Sequence, residues 1–366
     1  MRVLISGGGT AGHINPAISI AKHIMKKNNQ AEILFVGTEK GLEAKLVPRE
    51  NFYLETIKVR GFKRKLSLDT LVTVKELFQG LVEARKIIKD YKPDIVIGTG
   101  GYVCGPVVFN AAKMKIPTLI HEQNAFPGVT NRILSRFVDR VAISFKEAEN
   151  YFKKKEKVVF TGNPLRSEML EVDKAASRQK LKIKKDEFFV VIFGGSRGAE
   201  KINQEVSELI KAYGRKIDFK LLFATGERQY EKIYESLKKY LTENINIVPY
   251  IYDMANVMAA SDLVVARAGA MTLSELTALK IPSILIPSPY VTANHQEHNA
   301  RALEEKGAAI VILEKDLTSD ILYKQILSLA QDKNTLKKMS SNAGKLAITD
   351  AADKIYTIVS EITNKK

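Results

Sequence analysis

Short apolar runs alternate with longer segments of helical periodicity along almost the whole chain. In the first half, the runs with the length of buried strands are Val3–Ile5, Ile33–Val36, Ile95–Ile97, Thr118–Ile120 and Val141–Ile143. In the second half they are Phe189–Phe193, Lys220–Phe223, Asn246–Val248, Leu263–Val265, Ser283–Ile286 and Ala309–Val311. Apolar strands that alternate with helices are typical of βαβ units. The pattern therefore predicts an α/β protein built on parallel sheets.

The two halves of the chain begin with the same local pattern. A strand is followed by the glycine turn GGGTAG at 7–12 in the first half and by GGSRGA at 194–199 in the second, and each turn opens a helix. With 366 residues, the chain is long enough for two domains. We therefore predict two Rossmann-like sheets that face each other across a cleft at the carboxyl ends of their strands.

The predicted domains are residues 1–163 and 164–344. The Gly-Asn-Pro at 162–164 and the polar, Lys-rich stretch 171–187 resemble a passage between them. The segment 345–366 contains an amphipathic helix, which we expect to pack back on the first domain.

Composition adds an expectation about partners. The chain has 57 Lys and Arg against 41 Asp and Glu, a net charge of +16, which favours an anionic partner. Nucleic acid, a nucleotide-linked substrate and an acidic membrane face all fit that charge. Hydrophobic residues make up 45% of the chain, which excludes collagen-like and disordered classes. A single cysteine, Cys104, excludes an internal disulfide and fits a reducing cytoplasm.

The sequence predicts neither a signal peptide nor a membrane span. Met1–Ser6 runs directly into a strand, and the longest uncharged stretch, Ile95–Ala112, contains four glycines and Pro106. Those residues favour a strand, a turn and a helix start. Any membrane contact is then expected to be peripheral.

Three glycine turns indicate the ligand chemistry. On its own, the turn at 7–12 fits a dinucleotide site or a plain tight turn, and Glu39 is a poorly placed acid for NAD. Glycines let backbone N–H groups approach an anion at a helix start. With the turns at 98–102 and 194–199, the pattern fits a sugar nucleotide and a phosphorylated acceptor better than one dinucleotide.

Several polar residues near these turns have two interpretations each. The hydroxyls of Thr10 and Ser196 could bind phosphate or cap the local backbone. His13 follows the first turn, where a catalytic, a substrate-binding or a structural role is possible. Glu275 could accept the ribose hydroxyls or complement a helix dipole. In the polar segment 294–299, sugar contacts, a solvated helix start and a two-histidine metal site are alternatives, and no further ligand cluster supports a metal.

Six motifs follow one another in the order of a known family. They are GGGTAGHINPA at 7–17, GTGGYVCGP at 98–106, HEQNAFPGVTNRIL at 121–134, TGNPLR at 161–166, GGSRGA at 194–199 and RAGAMTLSE at 267–275. Together they span nearly the whole chain. In these motifs and their order, the sequence resembles the peptidoglycan glycosyltransferases of glycosyltransferase family 28. The resemblance implies a GT-B fold and inverting transfer of N-acetylglucosamine from UDP-GlcNAc to the C4 hydroxyl of MurNAc in lipid I, giving lipid II. It also implies no metal, no cofactor and a peripheral location on the cytoplasmic face of the cell membrane.

The resemblance also assigns site residues. The positions that match substrate-binding residues of the family are Thr10, Ala11, Gly12, Asn124, Arg166, Ser196, Ile251, Ala270, Met271, Thr272, Leu273, Ser274, Glu275 and Gln296. Within this set, Glu275 matches the ribose contact and Gln296 a contact to GlcNAc. His13 matches the proposed acceptor-side or base residue. Residues 1–163 would form the acceptor and membrane-associated domain, and 164–344 the UDP-GlcNAc-binding domain.

Three residues depart from the family pattern. Ala11 stands where glycine is frequent, Arg197 where glutamine is frequent, and Cys104 where serine is usual. Ala11 raises a question about the geometry of the first turn, and Arg197 could add a charge beside the diphosphate.

A basic and apolar run lies between the first two motifs. Lys58, Arg60, Lys63, Arg64 and Lys65 fall within eight residues and are interleaved with Phe62 and Leu66. A solvated loop, a nucleic-acid contact and a contact with anionic lipid are the alternatives, and no nucleic-acid motif accompanies the run. We predict that Lys58–Lys65 contacts anionic membrane lipids.

Three rival functions share part of the pattern. A UDP-GlcNAc 2-epimerase would have the same fold and donor. An NAD-dependent dehydrogenase would use the first glycine turn, and a basic binding protein would explain the charge alone.

Overall fold

The computed structural model describes residues 1–61, 68–195 and 198–364. The chain divides into two compact units. The first consists of residues 1–165 and the segment that begins at Ile348, and the second consists of residues 166–347.

In its described part, the first unit contains one parallel sheet of seven strands. The strands are β1 Arg2–Gly7, β2 Glu32–Gly37, β3 Tyr53–Thr56, β4 Ile95–Gly100, β5 Thr118–Glu122, β6 Arg140–Ile143 and β7 Val158–Phe160. Their order across the sheet is β3-β2-β1-β4-β5-β6-β7. Strand order therefore reverses beside β1, where open α/β sheets bind ligands at the carboxyl ends of their strands.

Helices cover both faces of this sheet. They are α1 Ala11–Lys27, α2 Glu43–Arg49, α3 Leu68–Tyr91, α4 Cys104–Lys113 and α5 Val129–Leu134. Val3 and Ile5 of β1 belong to an apolar cluster with α1, whereas Leu4 belongs to a second cluster with α4. Because side chains alternate between the faces of a strand, a strand covered on both faces is apolar throughout.

The second unit repeats the plan with a sheet of six parallel strands in its described part. The strands are β8 Phe189–Phe193, β9 Lys220–Ala224, β10 Ile245–Val248, β11 Leu263–Ala266, β12 Ser283–Leu285 and β13 Ala309–Val311, in the order β10-β9-β8-β11-β12-β13. The helices are α6 Ser167–Leu170, α7 Lys174–Lys180, α8 Glu200–Tyr213, α9 Glu227–Leu237, α10 Met254–Ala260, α11 Ala270–Ala278, α12 His295–Glu304, α13 Ser319–Gln331 and α14 Lys333–Lys345. This strand order is that of a Rossmann sheet.

The last helix, α15 (Ala351–Asn364), packs on α1 in the first unit. Ile355 and Val359 of α15 lie in the same apolar cluster as Ile14 of α1. The chain passes Gly162 closely on its return, because a Cβ on Gly162 would lie 2.6 Å from the side chain of Ile348.

The structure confirms the predicted α/β class with two parallel-sheet domains and all eleven of the predicted strands. Two edge strands, β3 and β7, were not predicted. The prediction that 171–187 is a passage between domains is wrong, because this stretch contains α7. Arg178 of α7 is buried and donates to Ala260 O at 2.9 Å and to Asp262 Oδ2 at 3.0 Å, which ties the stretch to the second unit. Within the described residues, no helix combines the length and the apolar character needed to cross a bilayer.

Candidate active site

Two glycine turns of the first unit pack backbone against backbone. Gly7 at the end of β1 lies beside Gly100 at the end of β4, and Gly8 N–H donates to Gly100 O at 3.3 Å. A Cβ on Gly101 would lie only 2.4 Å from Gly8 O, and Gly101 has a φ of +87°. Only glycine fits such an approach. The two turns therefore form one rigid rim at the carboxyl end of the sheet.

The first turn leads directly into α1. Gly9 has a φ of +82°, and Thr10 is the N-cap of α1 without a side-chain capping bond. Ala11 is the first helical residue and Gly12 the second, so the alanine is compatible with the turn. The open amides of a helix start favour an anionic or polar ligand. Thr10, Ala11 and Gly12 are thus placed together at this helix start.

His13 is fixed in one orientation by the two turns. Its Nδ1 lies 3.0 Å from Gly8 O and 3.3 Å from Thr10 Oγ1. A carbonyl oxygen only accepts, so the hydrogen-bond pattern assigns the proton of the neutral ring to Nδ1 and the lone pair to Nε2. A Cβ on Gly100 would lie 2.8 Å from His13 Cδ2, so glycine makes room for the ring. The side chain can therefore accept a proton on Nε2.

Asn124 lies in a loop that Glu122 organises. Glu122 is buried at the end of β5, and its Oε1 accepts from Asn124 N–H at 3.0 Å and from Asn124 Nδ2 at 3.1 Å. Its Oε2 accepts from Gly128 N–H at 3.0 Å and from Asn131 Nδ2 at 2.9 Å. The sequence alone predicts no role for Glu122. An acid at the carboxyl end of an apolar strand was the available signal.

A cavity of about 650 Å³ opens in the second unit. The glycine turn after β8, the start of α8 and the segments after β11 and β12 line it. Of the predicted donor-binding residues, Thr272 and Gln296 lie in its wall. Gln296 Oε1 accepts from Ser288 N–H at 2.9 Å. Ser196 and Arg197 lie outside the described residues.

A largely buried ion pair supports one side of this cavity. Arg267 follows β11 directly, and its guanidinium contacts the carboxylate of Glu314. The same guanidinium donates to Ile286 O at 3.1 Å and to Pro287 O at 3.3 Å. Arg267 lies in the motif RAGAMTLSE, which predicts no role for it. Its three polar contacts fix the segment after β12 that carries the cavity wall.

Glu275 lies on α11, and its side chain is only 13% exposed. Burial raises the pKa of Glu275 to about 7, and the nearby Arg166 partly offsets the effect. Arg166 Nη2 lies 3.8 Å from Glu275 Oε1. The carboxyl group is thus balanced between its charged and neutral forms near pH 7. The charged form offers both oxygens as acceptors only, whereas the neutral form carries an O–H donor on one of them.

The other predicted nucleoside-binding residues occupy the first turns of α11. Ala270 begins the helix, Leu273 is buried, and Ser274 Oγ donates to Ala270 O at 3.0 Å. Met271 is half-buried, and Ile251 is buried after the end of β10. Among the described residues, no group of three or more His, Cys, Asp or Glu side chains is placed to hold a metal ion.

The fold agrees with the family comparison. Residues 3–143 match the glycosyltransferase family 28 N-terminal domain, and residues 189–355 match the glycosyltransferase family 28 C-terminal domain. The chain belongs to glycosyltransferase family 28.

Particular relatives are similar over their full length. One is the UDP-N-acetylglucosamine--N-acetylmuramyl-(pentapeptide) pyrophosphoryl-undecaprenol N-acetylglucosamine transferase of Acetivibrio thermocellus, with 69% identity over 366 residues, 100% of this chain and 99% of the relative. The crystal structure of MurG from Acinetobacter baumannii is 27% identical, with a TM-score of 0.77, and the match covers 98% of this chain and 99% of that one. UDP-GlcNAc 2-epimerase from Neisseria meningitidis shares the fold alone, with 16% identity, a TM-score of 0.68 and complete coverage of both chains.

Proposed function

We propose that this chain transfers N-acetylglucosamine from UDP-GlcNAc to the C4 hydroxyl of MurNAc in undecaprenyl-pyrophosphoryl-MurNAc-pentapeptide. The product is lipid II of peptidoglycan synthesis, formed with inversion at the anomeric carbon. The observation that carries this proposal is the 69% identity, over the whole chain, to a relative whose name states the reaction. The geometry of His13 and Glu275 supports it.

We assign donor binding to the second unit and acceptor binding to the first. The cavity beside the glycine turn after β8 has donors for a diphosphate in its backbone amides, and Gln296 and Thr272 offer contacts to sugar hydroxyls. The carboxylate of Glu275 suits the two hydroxyls of a ribose. Asn124, Thr10, Ala11 and Gly12 belong to the first unit and are assigned to the transferred sugar.

The transfer is a single displacement. The C4 oxygen of the acceptor attacks the anomeric carbon while the bond from that carbon to the diphosphate breaks, and UDP leaves with the bonding electrons. The proton of the C4 hydroxyl passes to His13 Nε2. Helix-start amides and the guanidinium of Arg166 offset the charge that grows on the departing diphosphate.

Replacing His13 tests the base assignment. We expect His13→Gln to lower kcat by about 100-fold or more, because a positioned general base contributes on that order. The KM for UDP-GlcNAc should not change. The measurement is UDP release and disaccharide formation with a lipid I analogue. His23→Gln, on the same helix but in contact with Asp353, is the matched control and should keep normal activity. Normal turnover of His13→Gln would contradict the assignment.

The same assay separates transfer from 2-epimerisation. A transferase consumes UDP-GlcNAc only when the acceptor is present, whereas an epimerase changes the sugar without one. The chain is 16% identical to the epimerase from Neisseria meningitidis, so the epimerase alternative is not favoured.

We further propose that the chain associates peripherally with the cytoplasmic face of the membrane. Along α3, Phe78 is 66% exposed and Val82 is 71% exposed, and residues spaced by four lie on the same helix face. Exposed Lys75 and Lys86 lie near them at helical spacing. Apolar side chains flanked by lysines suit the boundary of an anionic bilayer.

The predicted run Lys58–Lys65 lies next to this helix in its described part. Arg60 forms an ion pair with Glu76 of α3, which offsets its charge. Lys58 donates its backbone N–H to Glu83 of the same helix at 2.6 Å. Lys63, Arg64 and Lys65 lie outside the described residues. The proposed contact surface is therefore centred on Phe78 and Val82, with Lys58 and Arg60 beside it.

Vesicle sedimentation tests the membrane proposal. We expect the wild-type protein to pellet with anionic vesicles more than with neutral ones, and Phe78→Ser with Val82→Ser to lower pelleting about tenfold, because each lost apolar contact weakens insertion. Tyr53→Ser is the control, since Tyr53 is 82% exposed on the edge strand β3 of the same unit. Equal pelleting of the double variant and the wild type would refute this surface.

A further inference from the structure

A second carboxylate, Glu43, is buried beneath the first glycine turn. Glu43 begins α2 and is 1% exposed. Its Oε1 accepts from Thr38 N–H at 3.0 Å and from Thr38 Oγ1 at 2.7 Å. Its Oε2 accepts from Gly9 N–H at 2.9 Å. The carboxylate thus connects the end of β2 with the turn that precedes His13.

Three glycines make room for this carboxylate. A Cβ on Gly8, Gly37 or Gly41 would lie 2.6, 2.5 or 2.2 Å from an atom of the Glu43 side chain. Within the described ranges, Glu43 forms no ion pair with a lysine or an arginine, so three neutral donors stabilise its charge. A buried carboxylate without a cation is costly, and a neutral residue would fill the same space at less cost. This suggests a role beyond packing.

One peptide unit links Glu43 to His13. The N–H of Gly9 and the C=O of Gly8 belong to the same planar trans peptide, so they point in opposite directions. The N–H donates to Glu43 Oε2 at 2.9 Å, and the C=O accepts from His13 Nδ1 at 3.0 Å. Hydrogen bonds in such a chain polarise one another, so a carboxylate at the N–H strengthens the C=O as an acceptor.

We propose that Glu43 is a positioning residue that acts through the Gly8–Gly9 peptide to hold His13 in its Nδ1–H tautomer. Nε2 is then left open to receive the proton of the acceptor hydroxyl. A carboxylate that contacts a catalytic histidine directly does the same work in hydrolases. Here a peptide stands between the two groups. The catalytic consequence rests on the proposed function of His13 as the base.

Other titratable groups around His13 do not take this role. The Tyr102 ring packs near Gly9, at 3.5 Å from the position of a Cβ there. Burial raises the pKa of the Cys104 thiol to about 11, so Cys104 stays neutral while it donates to Ser6 O at 2.7 Å. On α15, which packs against α1, Asp353 contacts His23, about three turns farther along α1.

Nitrogen NMR of the imidazole rings tests the tautomer directly. The chain has five histidines, so labelling histidine with ¹⁵N gives few signals, and the His13 signals are those lost in His13→Gln. We expect the wild-type protein to show protonated Nδ1 and unprotonated Nε2 at a pH where the ring is neutral. An Nε2–H tautomer in the wild-type protein would overturn the proposal without any variant of Glu43.

Glu43→Gln then isolates the charge. Its single amide oxygen can serve the two donors of Thr38, which turns the NH₂ group toward Gly9 N–H and removes the acceptor there. We expect the His13 signals to shift to a mixture of both tautomers. Glu50→Gln, at the other end of α2 and paired with Lys22, should leave them unchanged. Unchanged His13 signals in folded Glu43→Gln would overturn the proposal. If this variant does not fold, the wild-type tautomer alone decides the matter.

Kinetics separate this proposal from the assignment of the base. Loss of the partner that orients a metal-ligating histidine typically costs about 10- to 100-fold, and by analogy we expect kcat of Glu43→Gln to fall by a similar factor with an unchanged KM for UDP-GlcNAc. If His13→Gln keeps normal activity, the base assignment fails, yet the tautomer change in Glu43→Gln still supports the link between the two residues. Normal kcat in Glu43→Gln with an inactive His13→Gln would overturn the catalytic part of the proposal.

Discussion

At the scale of single residues, Glu275 couples ligand binding to protonation. Burial raises the pKa of Glu275 to about 7. The neutral carboxyl group is the form that the empty protein favours below that pH, whereas ribose hydroxyls need the charged form as an acceptor. Ligand binding must therefore remove a proton when the pH is low.

We predict that affinity for UDP falls about tenfold for each pH unit below pH 7, because only the fraction with charged Glu275 binds. Calorimetric titration between pH 5.5 and 8.5 measures this. Glu275→Gln should bind weakly with no such dependence on pH. Glu305→Gln, an exposed carboxylate on the same unit, should behave as the wild type. A flat affinity profile in the wild type would contradict the proposed role of Glu275.

The carboxyl group of Glu275 also makes the free energy of unfolding depend on pH, and its pKa gives the direction. Its folded pKa lies above the unfolded value of 4.5, so the folded state binds more protons between these values. The contribution to stability is therefore lost as pH rises from 4.5 toward 7. Compared with Glu275→Gln, the wild-type free energy of unfolding should fall by up to about 3 kcal/mol over that range, as urea denaturation would measure.

Sequence motifs identified candidate residues that stand next to glycine turns, such as His13 and Glu275. They did not identify Glu43, Glu122 or Arg267 as functional. The reason is physical. Each of these three acts by burial and by hydrogen bonds to backbone groups of other segments, and such contacts exist only after the chain has folded.

At the scale of elements, apolar periodicity predicted the strands that are covered on both faces. β3 and β7 were missed because they are short edge strands and, in β3, mostly exposed. An edge strand needs no continuous apolar run. The Lys-rich segment 171–187 was wrongly predicted to be a passage between domains, because charged residues normally indicate an exposed segment. Arg178 is charged but buried, and its bonds to carbonyl and carboxylate oxygens hold the segment on the second unit.

Helix α15 provides a test of element packing. Ile355 is 1% exposed within the core that α15 shares with α1. We expect Ile355→Ala to lower the free energy of unfolding by about 2–4 kcal/mol, because it removes buried methyl groups and leaves a cavity. Urea denaturation measures the loss. Thr357→Ala, on the exposed face of the same helix, should change stability by less than about 0.5 kcal/mol. Similar losses in both variants would show that α15 does not depend on this contact.

At the scale of the whole molecule, the local pattern that recurs in the two halves of the sequence was the strongest predictor of the fold. Two halves that each begin with a strand, a glycine turn and a helix proved to be two sheets whose first six strands follow the same order. The net charge of +16 was less informative about the binding partners. Long-range attraction depends on where charges lie, and ion pairs such as that of Arg60 with Glu76 neutralise particular basic residues while the net excess stays the same.

The closed environment of Cys104 has a practical consequence. The thiol is the only one in the chain, it is fully buried, and it stays protonated at neutral pH because burial raises its pKa to about 11. Thiolates are the species that react with maleimides. A cysteine introduced at an exposed position such as Tyr53 would therefore be the sole site of labelling. Fluorescent probes can thus be attached to the native chain without first removing its own sulfhydryl.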